Sequence, residues 1–195
     1  MIANATKPEA GMVLLLGLLF LTALTLLGLS ASADAILQNQ LAANLRESER
    51  AKQSALATQS WAEDWLLDLQ GSAPLPCLTP CEGLYVHPAG ELPRFPEFED
   101  LGWWLTHGYE AGIDPLSGER LTSFATGSID PPMWVIELAH QIPTSTQSWY
   151  RILVRASGET DNAISVIEST ITRTWSNDDG SEPLIIGRVS WRELR

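Results

Sequence analysis

One uncharged, apolar segment near the N-terminus restricts what this chain can fold into. No charged residue occurs between Glu9 and Asp34, and the run from Met12 to Leu29 is almost entirely apolar. As an α-helix that rises 1.5 Å per residue, such a stretch spans about 30 Å, the thickness of the hydrocarbon core of a bilayer. The sequence therefore predicts a segment that enters a membrane.

Three interpretations of this segment fit the residues. A cleaved secretory signal is the first, because residues 31–33 read Ala-Ser-Ala, a small-residue site after which a signal peptidase would release a product that begins at Asp34. A simple single-span anchor is the second. Lys7 is the only basic residue ahead of the segment and Glu9 offsets it, so charge defines the orientation of such an anchor poorly. The third is the apolar half of a longer helix.

The sequence after the apolar segment favours the longer helix. From Leu29 to Gln70 there is no Gly or Pro, whereas Gly71, Pro74 and Pro76 then supply helix-ending residues. Apolar residues and a threonine recur at helical spacing along one stripe that could face a partner: Leu37, Leu41 and Leu45, then Thr58, Trp61, Trp65 and Leu69. The pattern predicts one helix from about Met12 to Gln70, half in lipid and half in water.

The C-terminal part is expected to form a small antiparallel sheet. After a loop-rich stretch over 71–132, β-branched and aromatic runs predict four strands: Met133–Ala139, Trp149–Ala156, Ala163–Thr174 and Leu184–Trp191. The second strand alternates cleanly between an apolar and a mostly polar face, whereas the third does not, which predicts a β-bulge near Glu168. We expect Trp61, Trp65 and Leu69 to supply the helix side of a core between helix and sheet.

Length, charge and cysteine content narrow the classes of function. A chain of 195 residues fits one ordinary domain, and its net charge of −12 without a basic cluster argues against binding to nucleic acid. Cys77 and Cys81 are the only cysteines. A turn at Pro80 would let them form a small disulfide in an oxidising compartment, and two unpaired thiols are the alternative. One pair is too few for a zinc site of cysteines.

The residues that could carry chemistry form no catalytic or metal-binding pattern in the sequence. His87, His107 and His140 stand in unrelated contexts without metal-ligand spacing. The carboxylates of Glu63-Asp64 and Glu99-Asp100 are adjacent, as on a solvated surface, and residues 176–182 resemble a turn more than a calcium loop. Trp103 and Trp104 are more typical of a core than of an exposed recognition patch. We therefore predict a non-enzymatic protein without cofactor or metal.

A short polar leader ends in Gly11 immediately before the apolar run. Four further stretches in the helix and in the C-terminal strands are distinctive: Leu26–Arg50, which includes AILQNQLAANLR at 35–46, Trp149–Gly158, Ala163–Thr170 and Gly187–Leu194. Together these features resemble minor pilins of the PilX type, which belong to the pilin and pseudopilin superfamily and whose leaders are cut by prepilin peptidase. The resemblance covers roughly residues 8–70 and 130–195.

The resemblance implies an α+β, pilin-like fold in which a long N-terminal helix packs on a C-terminal antiparallel β-sheet. Its parts would be a leader (1–11), a membrane-spanning half-helix (12–33), a periplasmic half-helix (34–70), a loop-rich αβ region (71–132) and a sheet head (133–195). Prepilin peptidase would cut after Gly11 and N-methylate Met12. The fifth mature position, where major pilins carry Glu, is Leu16.

The implied function is that of a structural subunit that primes or joins a type IV pilus. Because Leu16 cannot neutralise the N-terminal amine of a neighbour, a position at the filament end is favoured over one in the shaft. The implied partners are other minor pilins, the major pilin, prepilin peptidase and the inner membrane, with the head in the periplasm and the pilus on the cell surface. The alternatives are a minor pseudopilin of type II secretion and a secreted ligand-binding protein released after Ala33.

Overall fold

The computed structural model describes residues 10–69, 73–74, 76, 86–90, 92, 100–124, 128–141, 147–175 and 185–194. The chain divides into two compact units, Met1–Leu45 and Arg46–Arg195. The helices and strands follow one another in this order: α1 (Ala10–Asp68), β1 (Val86–His87), α2 (Leu101–His107), β2 (Tyr109–Glu110), β3 (Met133–Gln141), β4 (Gln147–Ser157), β5 (Ile164–Thr174) and β6 (Ile185–Glu193).

Helix α1 has 59 residues and contains the whole apolar segment. The absence of Pro, and of Gly beyond Gly28, lets its hydrogen-bond ladder continue from the apolar run into the polar sequence. Within the described part of the chain it is the one helix that is long and apolar enough to cross a membrane. The prediction of a long N-terminal helix is confirmed. The predicted end at Gln70 lies outside the described residues.

The sheet has six strands in the order β1-β3-β4-β5-β6, and β2 also pairs with β3. Strands β3 to β6 are antiparallel neighbours and correspond to the four predicted strands. The expectation of a purely antiparallel sheet is wrong, because β1 pairs with β3 in parallel through Val86 and His87. A strand of two residues is too short to show an alternation of apolar and polar residues in the sequence. Its parallel pairing with β3 is possible because the connection between the two strands is long and includes α2.

One face of the sheet packs on the part of α1 that belongs to the second unit. Ala55, Ala62 and Leu66 of α1 are fully buried against the sheet, and small side chains at two of these positions allow helix and strands to approach closely. The sheet contributes a buried apolar set to this core: Trp134, Ile136, Leu138, Tyr150, Ile152, Val154, Ala156, Ile167 and Ile171. The predicted helix residues Trp61, Trp65 and Leu69 are only partly buried and pack at the margin of this core.

The opposite face of the sheet is covered as well, which explains the poor alternation in β5. Val166 lies in a second core with Trp104 of α2, whereas Ile167 lies in the first core. The bulge expected near Glu168 is absent from the β4–β5 pairing, whose register runs unbroken from Gln147 to Ser157. The register shifts occur instead between β5 and β6. A strand buried on both faces has no reason to alternate apolar with polar residues.

Candidate functional site: the two parts of helix α1

The residues expected to be processed lie in the N-terminal part of α1. The structure describes the helix from Ala10 onward, so Gly11 and Met12 are both helical, and the Met12 side chain is exposed. Leu16 follows one turn later with an exposed side chain.

Three of the hydroxyl groups in the apolar part of α1 are satisfied within the helix. Every side chain from Met12 to Arg46 is exposed. Three hydroxyls in this part donate to carbonyl oxygens of the same helix: Thr22 Oγ1 to Leu19 O at 2.8 Å, Thr25 Oγ1 to Thr22 O at 2.8 Å and Ser32 Oγ to Gly28 O at 2.9 Å. Lipid offers no hydrogen-bond partners, so a segment of this kind must bond internally. These contacts suit a helix surrounded by hydrocarbon.

A row of polar contacts joins α1 to the edge strand β6. Glu63 receives hydrogen bonds on both carboxylate oxygens from Arg188, with Nη2 at 2.7 Å from Oε2 and Nε at 3.1 Å from Oε1. Because Glu63 is buried, the expectation that it belongs to a solvated carboxylate pair is wrong, although its neighbour Asp64 is exposed. The bidentate geometry compensates the burial of the carboxylate.

Gln59 and Lys52 continue the same row along the helix. Gln59 Nε2 donates to Glu63 at 3.0 Å, and its Oε1 accepts a hydrogen bond of 2.7 Å from Trp191 Nε1. Lys52 Nζ donates to Glu193 Oε2 at 2.7 Å, and this hydrogen bond raises the pKa of Lys52. The helix positions 52, 59 and 63 recur at spacings that keep them on one face. We call Lys52, Gln59 and Glu63, with their partners on β6, the polar row.

The hairpin between β4 and β5 touches α1 near the start of the second unit. Thr160 Oγ1 donates to Glu47 Oε2 at 2.5 Å, and Arg50 forms an ion pair with Glu159. A Cβ on Gly158 would lie 2.9 Å from the Ala163 Cβ and 3.0 Å from the Glu47 carbonyl oxygen, so the close approach of hairpin and helix favours glycine here.

The C-terminal end of α1 is capped by a side chain from β5. Arg173 is 1% exposed, and its Nη1 donates to the Leu66 carbonyl oxygen. The guanidinium carbon also lies 4.0 Å from the centre of the Trp175 ring. The last turn of α1 contains no basic residue, so Arg173 supplies the positive charge that this end of the helix dipole favours.

Alternating charges cross the other face of the sheet. Arg151 Nε lies 2.6 Å from Glu137 Oε2, while Arg151 Nη1 lies 3.6 Å from Glu168 Oε2. Arg192 then closes the series with Nη2 at 2.9 Å from Glu168 Oε1. Glu137 Oε1 also accepts a hydrogen bond of 2.6 Å from the Gly90 N–H. These carboxylates alternate with guanidinium groups instead of pairing as an acid and a base.

Two of the three histidines lie close together, which the sequence did not indicate. The Trp103 ring stacks on His107 at 4.9 Å and on His87 at 5.8 Å between ring centroids. His87 is buried, and burial lowers its pKa to about 4. His140 is exposed on β3. The described residues contain no group of three side chains that could hold a metal ion.

The predicted special residues are thus placed unevenly. Gly11, Met12 and Leu16 lie at the start of α1, whereas Cys77 and Cys81 and the turn at 176–182 lie outside the described residues, so the disulfide stays a prediction. Trp104 is buried as expected, and Trp103 is partly exposed. The polar row and the Arg173 cap were not anticipated, because the contacts join residues more than 100 positions apart.

Comparisons with known proteins found no matching family model, no matching curated protein and no matching solved structure. A function must therefore be inferred from the geometry of α1 and of the folded domain that packs on its second part. In the first part, the apolar side chains are exposed, and the hydroxyls of Thr22, Thr25 and Ser32 donate to carbonyl oxygens of the same helix. In the second part, the same helix supplies one layer of a folded α+β domain.

Proposed function

We propose that this chain is a minor pilin, a non-enzymatic subunit that primes or joins a type IV pilus. One observation carries the proposal: α1 is a single helix whose first part is suited to lipid and whose second part forms the core of the folded domain. A cleaved signal or a simple anchor does not require such a shared helix. A filament subunit does, because it must leave the membrane with its domain already attached to the helix.

The position of Ala33 in the structure argues against release by signal peptidase. Residues 31–34 lie inside α1, more than thirty residues before its end at Asp68. A peptidase would have to unwind the middle of the helix there. We therefore favour processing after Gly11 by prepilin peptidase.

Contacts of the charged groups favour a structural role. Glu63, Glu137 and Glu168 are buried carboxylates, and each is paired with an arginine that holds two elements of the domain together. The proposed surroundings are the inner membrane, with the domain in the periplasm, and then the pilus, with the other minor pilins and the major pilin as partners. Leu16 favours a place at the filament end. A minor pseudopilin of type II secretion shares all of these features and is the second candidate.

Determining the N-terminus of protein isolated from membranes tests the proposal. We expect a chain that starts at an N-methylated Met12. A chain starting at Asp34 would identify a secreted product, and one starting at Met1 would identify a simple anchor, and either result would refute the pilin assignment.

A matched pair of variants makes the processing test specific. Gly11→Val places a branched side chain next to the bond to be cut and should leave the leader attached. Gly17→Val makes the same change six residues further along the helix, where a new Cβ has no neighbour within 4 Å, and should be processed normally. Cleavage of both variants at the wild-type level would show that Gly11 does not define the site.

A further inference from the structure

Three aromatic rings form a contact between β1 and α2 on the face of the sheet that lies opposite α1. His87 of β1 is 3% exposed, and its ring stacks on Trp103 with 5.8 Å between the centroids. Trp103 also stacks on His107 at the end of α2, at 4.9 Å. The centroids of the two imidazole rings are 6.1 Å apart. A proton taken up by His87 therefore places a charge between two packed elements.

The surroundings of His87 offer little to stabilise a positive charge. Burial lowers its pKa to about 4; a hydrogen bond with the His107 backbone opposes this shift, and repulsion from the His107 ring adds to it. Glu137 is the partner of His87 in the β1–β3 pairing, but its carboxylate already binds two other groups. Its Oε1 accepts a hydrogen bond from the Gly90 N–H, and its Oε2 lies 2.6 Å from Arg151 Nε. A charged His87 is therefore more stable where water reaches its ring.

The other described charged or titratable side chains of α2, β2 and β3 lie apart from this contact. Two bond elsewhere and one is exposed on β3: Asp100 with the Gly102 N–H, Glu110 with Arg120, and His140.

The rest of the folded domain is held together largely without β1 and α2. Strand β1 pairs with β3 through two residues, whereas β3 to β6 pair with one another over most of their length. Trp104 of α2 packs in the second core, and among the described residues of β1 and α2 only Val86 belongs to the core on α1. Elements held by few contacts open locally at a lower cost than unfolding of the whole domain.

We propose that protonation of His87 releases β1 and α2 from the sheet while the second part of α1 and β3 to β6 stay folded. Release lets water reach the imidazole and uncovers apolar side chains that pack with Trp104, among them Val135 and Leu153. With the ordinary pKa of 6.5 for His87 in the open form, the ratio of open to closed forms rises about a hundredfold between pH 7 and pH 4. This acid-triggered opening requires only the folded second unit, so it stands apart from the proposed pilin role.

Hydrogen–deuterium exchange of the full chain in detergent micelles, measured by mass spectrometry at pH 7 and pH 4, tests the local opening. Exchange times are scaled for the slower intrinsic exchange in acid. We expect peptides that contain α2 to lose about a hundredfold in protection at pH 4. Peptides from residues 51–66 of α1 and from β5 should keep their protection. Unchanged protection of α2, or an equal loss throughout the second unit, would overturn the proposal.

Substitutions of His87 test whether its charge is the trigger. His87→Gln keeps a hydrogen-bond donor and His87→Phe keeps a ring, and neither takes up a proton. A variant that is closed at pH 7 should stay closed at pH 4. The control His140→Gln changes an exposed histidine and should open as the wild type does. Acid opening of a variant that is closed at pH 7, opening of both His87 variants already at pH 7, or loss of the response in His140→Gln would refute the proposal.

Discussion

Replacing Arg173 with Met tests how the folded domain secures the end of α1. Methionine keeps most of the apolar stem but removes the guanidinium that donates to the Leu66 carbonyl oxygen and lies on Trp175. Because Arg173 is 1% exposed, the carbonyl that it caps is shielded from bulk water. The variant therefore leaves a buried acceptor at the helix end without its charged partner.

The expected loss can be assembled from the contacts. A hydrogen bond from a charged group contributes about 1.5–3 kcal/mol, a desolvated cation–π contact about 2 kcal/mol, and the helix dipole about 0.3–1 kcal/mol. Burial opposes these gains and lowers the pKa of Arg173, because the cation has been taken out of water. Allowing for that cost, we expect Arg173→Met to lower the free energy of unfolding by about 2–3 kcal/mol.

Urea unfolding of the full chain in detergent micelles, followed by tryptophan fluorescence, measures this loss. All eight tryptophans lie between Trp61 and Trp191, so the signal reports on the second unit. The control is Arg120→Met, which removes an exposed ion pair of 2.7 Å with Glu110 and should cost less than about 1 kcal/mol. If Arg173→Met is as stable as the wild type, the buried cation does not stabilise the helix end, and the reasoning is wrong.

Three other predictions concern pH, backbone conformation and assembly. Burial lowers the pKa of His87 from 6.5 to about 4, so on acidification the unfolded chain takes up this proton before the folded chain does. The contribution of His87 to the free energy of unfolding should therefore be constant above pH 6.5 and fall by up to about 3 kcal/mol towards pH 4. In urea titrations at several pH values, His87→Gln should flatten this decline. Gly112 and Gly118 both have positive φ, but a Cβ on Gly112 would overlap the Thr122 carbonyl oxygen, whereas a Cβ on Gly118 has no neighbour within 4 Å. Gly118→Ala should cost about 1–2 kcal/mol of stability from backbone strain alone, and Gly112→Ala should lower the melting temperature considerably more. Equal effects of the two variants would contradict the overlap with Thr122 as the cause. If the chain is a subunit at the filament end, Leu16→Glu should not raise the amount of this protein in sheared pili relative to cell-bound protein. The new carboxylate would meet no N-terminal amine of a neighbouring subunit and would cost up to about 2.5–3.5 kcal/mol in lipid. Greater incorporation of the variant along the fibre would refute the filament-end hypothesis.

Sequence periodicity predicted the large elements because their signals are local. The apolar run and the absence of helix breakers predicted α1. The alternation of Tyr150, Ile152 and Val154 along β4 predicted the face that packs on α1, but not that Leu153 and Arg155 on the other face are buried as well. The helix side of the core was predicted less well. Size suggested Trp61 and Trp65, yet close packing placed Ala55 and Ala62 at the centre and the tryptophans at the margin.

Features that depend on contacts between distant residues could not be predicted from the pattern. Glu63 looked like a surface carboxylate because its neighbour Asp64 is also acidic, and only the position of Arg188 on β6 explains its burial. His87 and His107 are separated by the sequence that includes α2, and folding brings both rings against Trp103. The parallel strand β1 is too short to carry a periodic signal.

The polar row has a consequence for the order of events during synthesis. Its three contacts join α1 to β6 across 125 to 141 residues of sequence, so the helix is synthesised well before its partners on β6. Until β6 has left the ribosome, the Glu63 carboxylate has no guanidinium and β5 has an open edge. Contacts this distant in sequence slow folding and lengthen the time during which the unfinished sheet can associate wrongly. The apolar segment, in contrast, is complete early and can enter a bilayer while the rest of the chain is still being translated.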